Sequence, residues 1–445
     1  MELMFGILNK YKYLSQLKKN MFSGALTSGA NAVFPIVTYP IYLNYLGTDK
    51  YGFWVTISVI LAFGQLGELG ISTAIIKYVA GEYGKRNFKA ITEYISTSFY
   101  ILMLTSLIFI CILAFFSLQI AEFLKIKDIF IYEGGNLIFF VGVLSAFSFF
   151  VNVMRGAVAG IGRLDICNYV SIFSKIVQII LVVGLLMNGY GVWSLYFGFL
   201  LNFFLSLVLY VFVLKYIYHI KVFKPAAFKI QKLKELFKFG GTLITGNIAC
   251  MLVMPFNKVI IAKFIGLSEV TYYEIAIKIS GAIRDLYVKT LEPILPKISE
   301  VYGKATESLK SVFNIRKKSI RFIVLSASPL FLLIFIFTNP ILRIWLGNNF
   351  DIEIAIALRI LLIGRFINLL VVPDFFMFIG IGKVKYSVGE EWIRSIVNVL
   401  VIMIIVFLSM NVTLRGVVII NMISIAAGVI FLKYKYFLFS HNYYS

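Results

Sequence analysis

Charged side chains are scarce in this sequence. Asp, Glu, Lys and Arg make up 14% of its 445 residues, 60% of the residues are hydrophobic, and the mean hydropathy is +0.91. A soluble globular domain carries about 25% charged residues and about 45–50% apolar ones. So few polar residues cannot cover a water-soluble body of this size, which excludes a soluble protein. The composition predicts an integral membrane protein.

Residues that commonly build catalytic or metal sites are also rare. The chain has two histidines and three cysteines, and Cys111, Cys167 and Cys250 lie far apart in the sequence. Their spacing matches neither a disulfide framework nor a metal motif such as C-x-x-C. The sequence also contains no P-loop, no HExxH and no GxSxG. We therefore predict no enzymatic activity, no cofactor, no metal site and no ATP-driven transport by this chain alone.

Apolar segments of about 20 residues are long enough to cross the hydrocarbon core of a bilayer as helices. The first twenty residues contain four lysines and no cleavable signal sequence, and we predict that they form a basic amphipathic lead-in. Twelve predicted spans follow, of which the eighth and tenth are the least apolar. They cover residues 22–46, 52–77, 92–117, 134–154, 166–188, 192–214, 240–262, 268–296, 321–339, 353–379, 386–408 and 414–437.

Positive charge is distributed unevenly over the predicted loops. The net charge is +21, from 42 Lys and Arg against 21 Asp and Glu. With the amino terminus in the cytoplasm, 28 of these cations fall in cytoplasmic segments, 6 on the opposite side and 8 within the spans. Cytoplasmic loops of membrane proteins are enriched in Lys and Arg. We therefore predict that both termini are cytoplasmic, and we attribute the basic balance to topology rather than to nucleic-acid binding.

Short sequence matches recur at an offset of 217–220 residues. Tyr83-Gly84-Lys85 returns as Tyr302-Gly303-Lys304, Gly160-Ile161-Gly162-Arg163 returns as Gly380-Ile381-Gly382-Lys383, and two shorter matches accompany them. An even number of helices per repeat gives both repeats the same orientation in the membrane. The predicted fold is therefore all-α, with twelve transmembrane helices in two six-helix bundles related by a parallel pseudo-two-fold repeat. Residues 1–214 and 240–445 form the bundles, and the lysine-rich linker 215–239 is interpreted as the hinge.

Eight lysines and arginines fall within the predicted spans. At about 2.5–3.5 kcal/mol each, exposing all eight to lipid would cost about 20–28 kcal/mol, which exceeds the stability of an ordinary domain. Six or more residues from either end of a span there are seven cations and three acids, so positive charge is in excess. The cations must face partners, headgroups or water. They are Lys175, Lys258, Lys278, Arg284, Lys289, Arg359, Arg365 and Arg394.

The eighth predicted span carries a charged stripe. At 100° per residue, one arc of 80° contains Glu274, Lys278, Gly281, Asp285, Lys289 and Glu292. Such a stripe lines a water-filled cavity or is satisfied locally, because Glu274–Lys278 and Asp285–Lys289 are favourable i,i+4 pairs.

Cations at this depth are candidate ligands for an anionic substrate, because guanidinium groups bind phosphate with two parallel hydrogen bonds. Snorkelling to headgroups or local pairing is the alternative, and we prefer it for Lys258 and for Arg394, which has Glu390 at i−4. The predicted substrate-binding residues are Arg284, Arg359, Arg365, Lys278, Lys289 and Lys175.

Buried carboxylates are the candidates for ion coupling, because a carboxyl group in a membrane helix can take up a proton. We name Glu68, Asp285 and Glu274 in this role. For Glu68, a structural hydrogen bond to a neighbouring helix is the preferred alternative.

Residues 46–85 resemble the N-terminal signature of the polysaccharide-biosynthesis flippases, the Wzx-like branch of the multidrug/oligosaccharidyl-lipid/polysaccharide exporter superfamily. The matching elements are Leu46-Gly47, Tyr51-Gly52 and Glu68-Leu69-Gly70-Ile71-Ser72, where Glu replaces the more usual Asp. The run GIGRLD at 160–165 resembles the family's Gly-Arg turn that enters helix 5.

The resemblance implies a flippase that moves a polyprenyl-diphosphate-linked oligosaccharide, such as an O-antigen or capsule repeat unit, across the bacterial inner membrane. It implies alternating access driven by an ion or proton gradient. The implied partners are membrane lipids, the lipid-linked glycan, a polysaccharide polymerase and a chain-length regulator.

Other functions stay open beside this one. A lipid II-type or teichoic-acid precursor flippase would need the same basic cavity. A MATE-type drug/cation antiporter is less favoured, because its cationic substrates call for an acidic cavity. A membrane polymerase or ligase is disfavoured as well, since the longest predicted outer loop, 118–133, has no His or Arg beside its acids.

Overall fold

The computed structural model describes residues 15–68, 70–124, 131–224, 227–303 and 308–444, so most of the predicted basic lead-in lies outside the described residues. All regular secondary structure in those ranges is helical. A π-helical turn, Val213–Ile217, directly follows the helix that ends at Phe212. The helices are α1 (Gln16–Ile57), α2 (Val59–Gly67), α3 (Ile71–Gly84), α4 (Phe88–Phe123), α5 (Ile131–Gly160), α6 (Leu164–Met187), α7 (Trp193–Phe212), α8 (Ile230–Met251), α9 (Met254–Phe264), α10 (Leu267–Leu291), α11 (Ile294–Gly303), α12 (Ser308–Ile336), α13 (Thr338–Leu346), α14 (Ile352–Leu369), α15 (Val372–Gly380), α16 (Val384–Phe407) and α17 (Leu414–Tyr444).

Each predicted span overlaps helices, although several spans are divided. Residues 52–77, for example, comprise the end of α1, all of α2 and the start of α3. Among the described residues, seven helical stretches are long and apolar enough to cross a membrane: Phe88–Phe123, Glu133–Gly160, Leu164–Met187, Trp193–Ile217, Leu309–Ile336, Ile352–Gly380 and Leu414–His441.

The chain is thus a multi-pass membrane protein, and the count of twelve crossings stays a prediction. Helices α10 and α16 are absent from the seven, and both are rich in ionised side chains. In α16, for instance, Glu390, Glu391 and Arg394 fall within five residues. Their charged residues explain why these two helices are less apolar than the seven.

The chain divides into two compact units. The first unit is Met1–Leu46 with Ile57–Thr245, and the second is Gly47–Thr56 with Gly246–Ser445. In the first, Ile75 of α3, Ile95 of α4 and Phe149 of α5 meet in one buried cluster. In the second, Ile298 of α11 and Phe378 of α15 pack in another. The predicted lobes 1–214 and 240–445 differ from these units at both ends of the linker and at the segment Gly47–Thr56.

The two turns of the GIGR repeat have the same backbone conformation. Gly162 and Gly382 have φ of +84° and +79°. In both turns the amides of three successive residues, 161–163 and 381–383, donate to carbonyls four, three and five positions back. The helices after these turns, α6 and α16, have 24 residues each at an offset of 220. A left-handed glycine after a helix is energetically favourable, which explains why this motif recurs in the sequence.

Two sequence motifs lie at a break near the end of α1. Leu46-Gly47 forms the break, and the segment after it, which includes Tyr51-Gly52, contacts α10. Gly47 interrupts α1 with φ +71°. The Thr271 hydroxyl donates to the Thr48 carbonyl at 2.8 Å. A Cβ atom on Gly52 would lie 1.7 Å from the carbonyl oxygen of Leu267. Only glycine allows that approach of two backbones.

We predict that Gly52→Ala destabilises the protein, because its methyl group would overlap backbone that cannot move aside. Overpacking costs about 1–3 kcal/mol, and the apparent melting temperature in detergent should fall. Gly81→Ala is the matched control, since nothing lies within 4 Å of a Cβ there. It should be neutral or slightly stabilising, because Ala favours a helix over Gly by about 1 kcal/mol. Equal melting temperatures for the two variants would contradict this packing.

Candidate functional site

The second unit contains a small polar cavity between its charged helices. Its volume is about 90 Å³, well above the roughly 10–15 Å³ that a single water needs. Five polar side chains from α10, α14 and α16 share its lining with apolar residues of α10, α15 and α17. The polar residues are Arg284, Asn368, Glu390, Glu391 and Arg394.

Arg284 of α10 is held by two hydrogen bonds. Its Nε donates to Oδ1 of Asn368 on α14 at 2.6 Å, and its Nη1 donates to Oδ1 of Asp285 at 2.9 Å. The guanidinium is planar and keeps its charge, so these bonds orient it in the cavity wall. Asn368 therefore acts as a positioning residue for Arg284.

Arg365 and Arg394 bring two more positive charges close to Arg284. Arg365 is 7% exposed, and its charge is opposed by those of Arg284 and Arg394. In the described part of the chain, Nε of Arg365 and Nε of Arg394 are buried without a hydrogen-bond partner. Buried polar groups in native proteins are nearly always hydrogen-bonded. Unmet donors on two neighbouring arginines indicate a place for water or for an anionic group.

Glu390 and Glu391 partly balance these charges. Glu390 is 4% exposed and interacts electrostatically with Arg394. Its Oε1 has no hydrogen-bond partner among the described residues, although it lies where a Cβ on Gly428 of α17 would contact it at 2.9 Å. The expected i−4 pairing of Arg394 with Glu390 is therefore an electrostatic interaction that leaves Nε of the arginine and Oε1 of the carboxylate unpaired.

Asp374 fixes the start of α15, whose Phe375 and Phe376 line the cavity. Asp374 is fully buried, accepts a bond from Nε of Arg316 on α12, and pairs with Nζ of Lys433 on α17 at 2.6 Å. Buried carboxylates need such partners, since removing one leaves an uncompensated charge that costs about 3–5 kcal/mol. One ionic network thus joins α12, α15 and α17.

Arg359 and Lys175 do not line this cavity. Nε of Arg359 donates to the carbonyl of Phe335 at 3.2 Å, and the guanidinium lies over the ring of the same residue. Lys175 belongs to the first unit, where its ammonium lies 5.0 Å from the ring centroid of Phe199. Of the three arginines that the sequence proposes as substrate ligands, only Arg284 and Arg365 therefore come together.

The charged stripe of α10 is satisfied differently from the pattern that the sequence predicts. Glu274 pairs with Lys258 of α9 at 2.8 Å and more weakly with Lys278 at 3.8 Å, which fits local pairing for Lys258. Lys289 pairs with Glu292 at 3.4 Å, whereas Asp285 pairs with Arg284. The expected Asp285–Lys289 pair is thus replaced. Lys278, Asp285 and Lys289 are more than half exposed on the second unit.

Glu68 lies in the break between α2 and α3, in the first unit. Its Oε1 accepts the backbone N–H of Ser72 at 3.2 Å, and its Oε2 accepts Nδ2 of Asn152 on α5 at 2.9 Å. Gly70 takes φ +68° beside it, where a Cβ would lie 2.6 Å from the carbonyl oxygen of Gly240. The described residues of this element, Glu68 and residues 70–72, therefore start α3 and tie it to α5.

Residues 45–354 match the model of the polysaccharide biosynthesis protein family. The chain belongs to that family. This confirms the resemblance to the Wzx-like branch of the exporter superfamily. The matched range includes Arg284 and ends before Arg365 and Arg394.

Known transporters are similar to this chain over most of its length. A Shigella flexneri protein assigned as an O-antigen transporter is 22% identical over 348 residues, which are 77% of this chain and 79% of the relative. The lipid II flippase MurJ in an inward-closed conformation matches with a TM-score of 0.69 at 14% identity, covering 94% of this chain and 87% of that one. An inward-facing MATE transporter of the MOP superfamily matches with 0.68 at 17% identity, covering 94% and 97%. This chain therefore has the fold of these transporters.

Sequence reasoning missed several parts of the cavity. The sequence places Glu390 and Glu391 near the end of a predicted span, and Asn368 carries no charge that would single it out. The signal that could have found them is charge density, because Glu390, Glu391 and Arg394 fall within five residues of one predicted span. Three ionisable groups so close in a predicted span need an aqueous or polar surround.

We predict that Glu68→Gln is far milder than Glu68→Ala for stability. The amide oxygen of Gln can keep the Ser72 N–H, and its NH2 group can donate to Oδ1 of Asn152 once that amide flips. Ala instead leaves the Ser72 N–H and the Asn152 amide unpaired at about 1–3 kcal/mol each. Apparent melting temperatures of both purified variants test this structural role. If Gln instead destabilises as much as Ala, the two hydrogen bonds do not define the role of Glu68. Loss of export in Gln at full stability would assign the residue to ion coupling.

Proposed function

We propose that this membrane protein flips a polyprenyl-diphosphate-linked oligosaccharide, an O-antigen or capsule repeat unit, from the cytoplasmic to the outer leaflet of the bacterial inner membrane. One observation carries the proposal: Arg284 and Arg394 line a cavity in the second unit, and the buried Arg365 lies within electrostatic reach of both. Nε of Arg365 and Nε of Arg394 have no hydrogen-bond partner among the described residues. We call these three side chains the cavity arginines. In the proposed cycle, the two halves expose the site alternately to each side.

A diphosphate is the part of such a substrate that the bilayer opposes most strongly. Its charge loses hydration in the hydrocarbon layer, and a preformed cationic site offsets that loss. Arginine suits the task because its planar fork presents paired donors to phosphate oxygens. Arg284 and Arg394 lie in the wall of the cavity. We infer that they receive the diphosphate.

The same chemistry supports a lipid II-type or teichoic-acid precursor flippase as a second candidate, because those substrates also carry phosphate on a lipid. A MATE-type drug/cation antiporter is less well supported. Arg284 and Arg394 in the cavity wall, with Arg365 close to both, oppose a cationic drug through like-charge repulsion. These three arginines outnumber the two carboxylates of the wall, Glu390 and Glu391.

Coupling to an ion or proton gradient is part of the proposal. Glu68, Asp285 and Glu274 remain its candidates, and Glu390 joins them because it is buried beside Arg394 with one oxygen unpaired. We further propose cytoplasmic termini, two six-helix lobes joined by the 215–239 linker, and cooperation with a polysaccharide polymerase and a chain-length regulator.

Substituting the cavity arginines tests the proposal. We expect Arg284→Ala, Arg365→Ala and Arg394→Ala each to lower polymer export about 10- to 100-fold in a complementation assay, because a charge-assisted hydrogen bond contributes about 1.5–3 kcal/mol. The Lys variants should be intermediate, since they keep the charge and lose the fork.

Arg359→Ala is the control, because Arg359 lies on the same helix as Arg365 but contacts Phe335. It should export normally. Membrane levels measured by immunoblot separate loss of function from loss of folding. Normal export from all three cavity variants would reject the proposed site.

Deleting the gene should leave the lipid-linked substrate in the cytoplasmic leaflet. We expect mass spectrometry of the deletion strain to reveal an accumulated polyprenyl-diphosphate carrying a complete repeat unit. Accumulation of lipid II or of a teichoic-acid precursor would favour the second candidate. Unchanged lipid intermediates would contradict a flippase of either kind.

A further inference from the structure

The lysine-rich linker is packed against the first unit over much of its length. Apart from residues 225 and 226, the structure describes all of 215–238, and Ile220, Ala227 and Leu236 are 1%, 7% and 0% exposed. Ile220 and Leu236 are members of the buried core of that unit. Burying such side chains stabilises by about 1.5–3 kcal/mol each. The linker therefore holds a definite position on the first unit.

Hydrogen bonds attach the linker to one end of α4. The backbone N–H groups of Lys224 and Lys229 donate to the hydroxyls of Ser96 and Thr97 at 3.0 and 3.2 Å. Tyr94 donates to Glu235 and accepts a bond from Nζ of Lys232 at 3.0 Å. These partners lie six to nine residues into α4, about 9–14 Å along its axis. Since α4 is long and apolar enough to cross a membrane, the linker lies near the level where the bilayer begins.

The outward surface of the linker combines positive charge with exposed apolar side chains. Residues 215–238 contain seven lysines and one acid, Glu235, which is engaged by Tyr94 and Lys232. Large apolar side chains stand beside the lysines with 39–59% of their surface exposed. They are Tyr216, Ile217, Phe223, Phe228, Ile230 and Phe237.

This combination selects among the polyanions that a basic surface could bind. Free phosphate has no apolar part that could contact the exposed isoleucine and phenylalanine side chains. Nucleic acid would gain from the aromatic rings only if its bases stacked on them, and it would gain little from isoleucine. At the headgroup level, aromatic rings lie in the interface, lysine stems cover apolar surface, and the ammonium groups reach lipid phosphates. Each lysine near an anionic leaflet contributes about 1 kcal/mol.

We propose that the linker surface, defined by Lys215, Lys221, Lys224, Lys229 and Lys234 with the exposed apolar residues between them, binds headgroups of anionic phospholipids. The binding holds this end of α4 at the membrane interface. It is separate from the arginine cavity and does not depend on the transported substrate.

Lipid retention by the purified protein tests this. The full-length chain in detergent is mixed with phosphatidylglycerol or phosphatidylcholine, and bound lipid is counted by native mass spectrometry. We expect phosphatidylglycerol to be retained preferentially at low salt. Replacing Lys221, Lys224 and Lys229 together by Gln should weaken that retention about a hundredfold, because three contributions of about fivefold each are removed. These side chains are exposed, so the fold and the backbone bonds of Lys224 and Lys229 remain.

The matched control replaces Lys310, Lys317 and Lys318 by Gln. These lysines are also exposed, and they lie in a predicted cytoplasmic segment of the second unit. The control should retain phosphatidylglycerol as the unaltered protein does. Unchanged retention in the linker variant, or an equal loss in both variants, would overturn the proposal. Full displacement of the lipid by millimolar inorganic phosphate would also overturn it, by revealing a simple anion site.

Discussion

An ionised side chain in a hydrocarbon layer must be compensated, and this requirement organises the second unit. Lys258 pairs with Glu274, and Asp374 receives both Arg316 and Lys433. The compensation is incomplete around the cavity, as far as the described residues extend, since Arg365 and Arg394 each keep a buried donor without a partner. An incompletely satisfied group is costly unless something polar binds there. The candidate site is thus a place where the second unit leaves buried arginine donors without a hydrogen-bond partner.

The internal repeat supplies a scaffold whose two copies differ in chemistry. The turns after Gly160 and Gly380 share one hydrogen-bond pattern, and the helices after them match in length. At the offset of 220, however, Glu390, Glu391 and Arg394 correspond to Val170, Ser171 and Ser174. The turn requires glycine at a fixed position and a fixed spacing between the helices. Positions on the exposed or cavity-facing side of a helix can differ in side chain between the two copies. The second copy therefore carries the charged site on a helix that is neutral at the same positions in the first copy.

Family membership and fold explain different parts of the molecule. The match to the polysaccharide biosynthesis family covers the motifs at Leu46-Gly47 and Tyr51-Gly52, and these have a mechanical meaning, because Gly47 breaks α1 and Gly52 permits close contact with α10. The arginine cavity draws Arg365 and Arg394 from beyond that match. The shared motifs thus position helices, and the residues that would hold a substrate come largely from elsewhere.

The sequence by itself determined the membrane class and the recurring GIGR turn, and it predicted the twelve spans and an excess of positive charge within them. These follow from composition and from local periodicity, which need no knowledge of neighbours. Only the tertiary structure decided which charges meet. Arg284 and Arg365 are 81 residues apart and yet interact, whereas Arg359, six residues from Arg365, contacts Phe335 instead. Glu274 likewise pairs more closely with Lys258 of α9 than with Lys278, its predicted i+4 partner. Which side chains pair between two helices depends on how the helices pack. The periodicity of a sequence indicates only the face of the helix on which each residue lies.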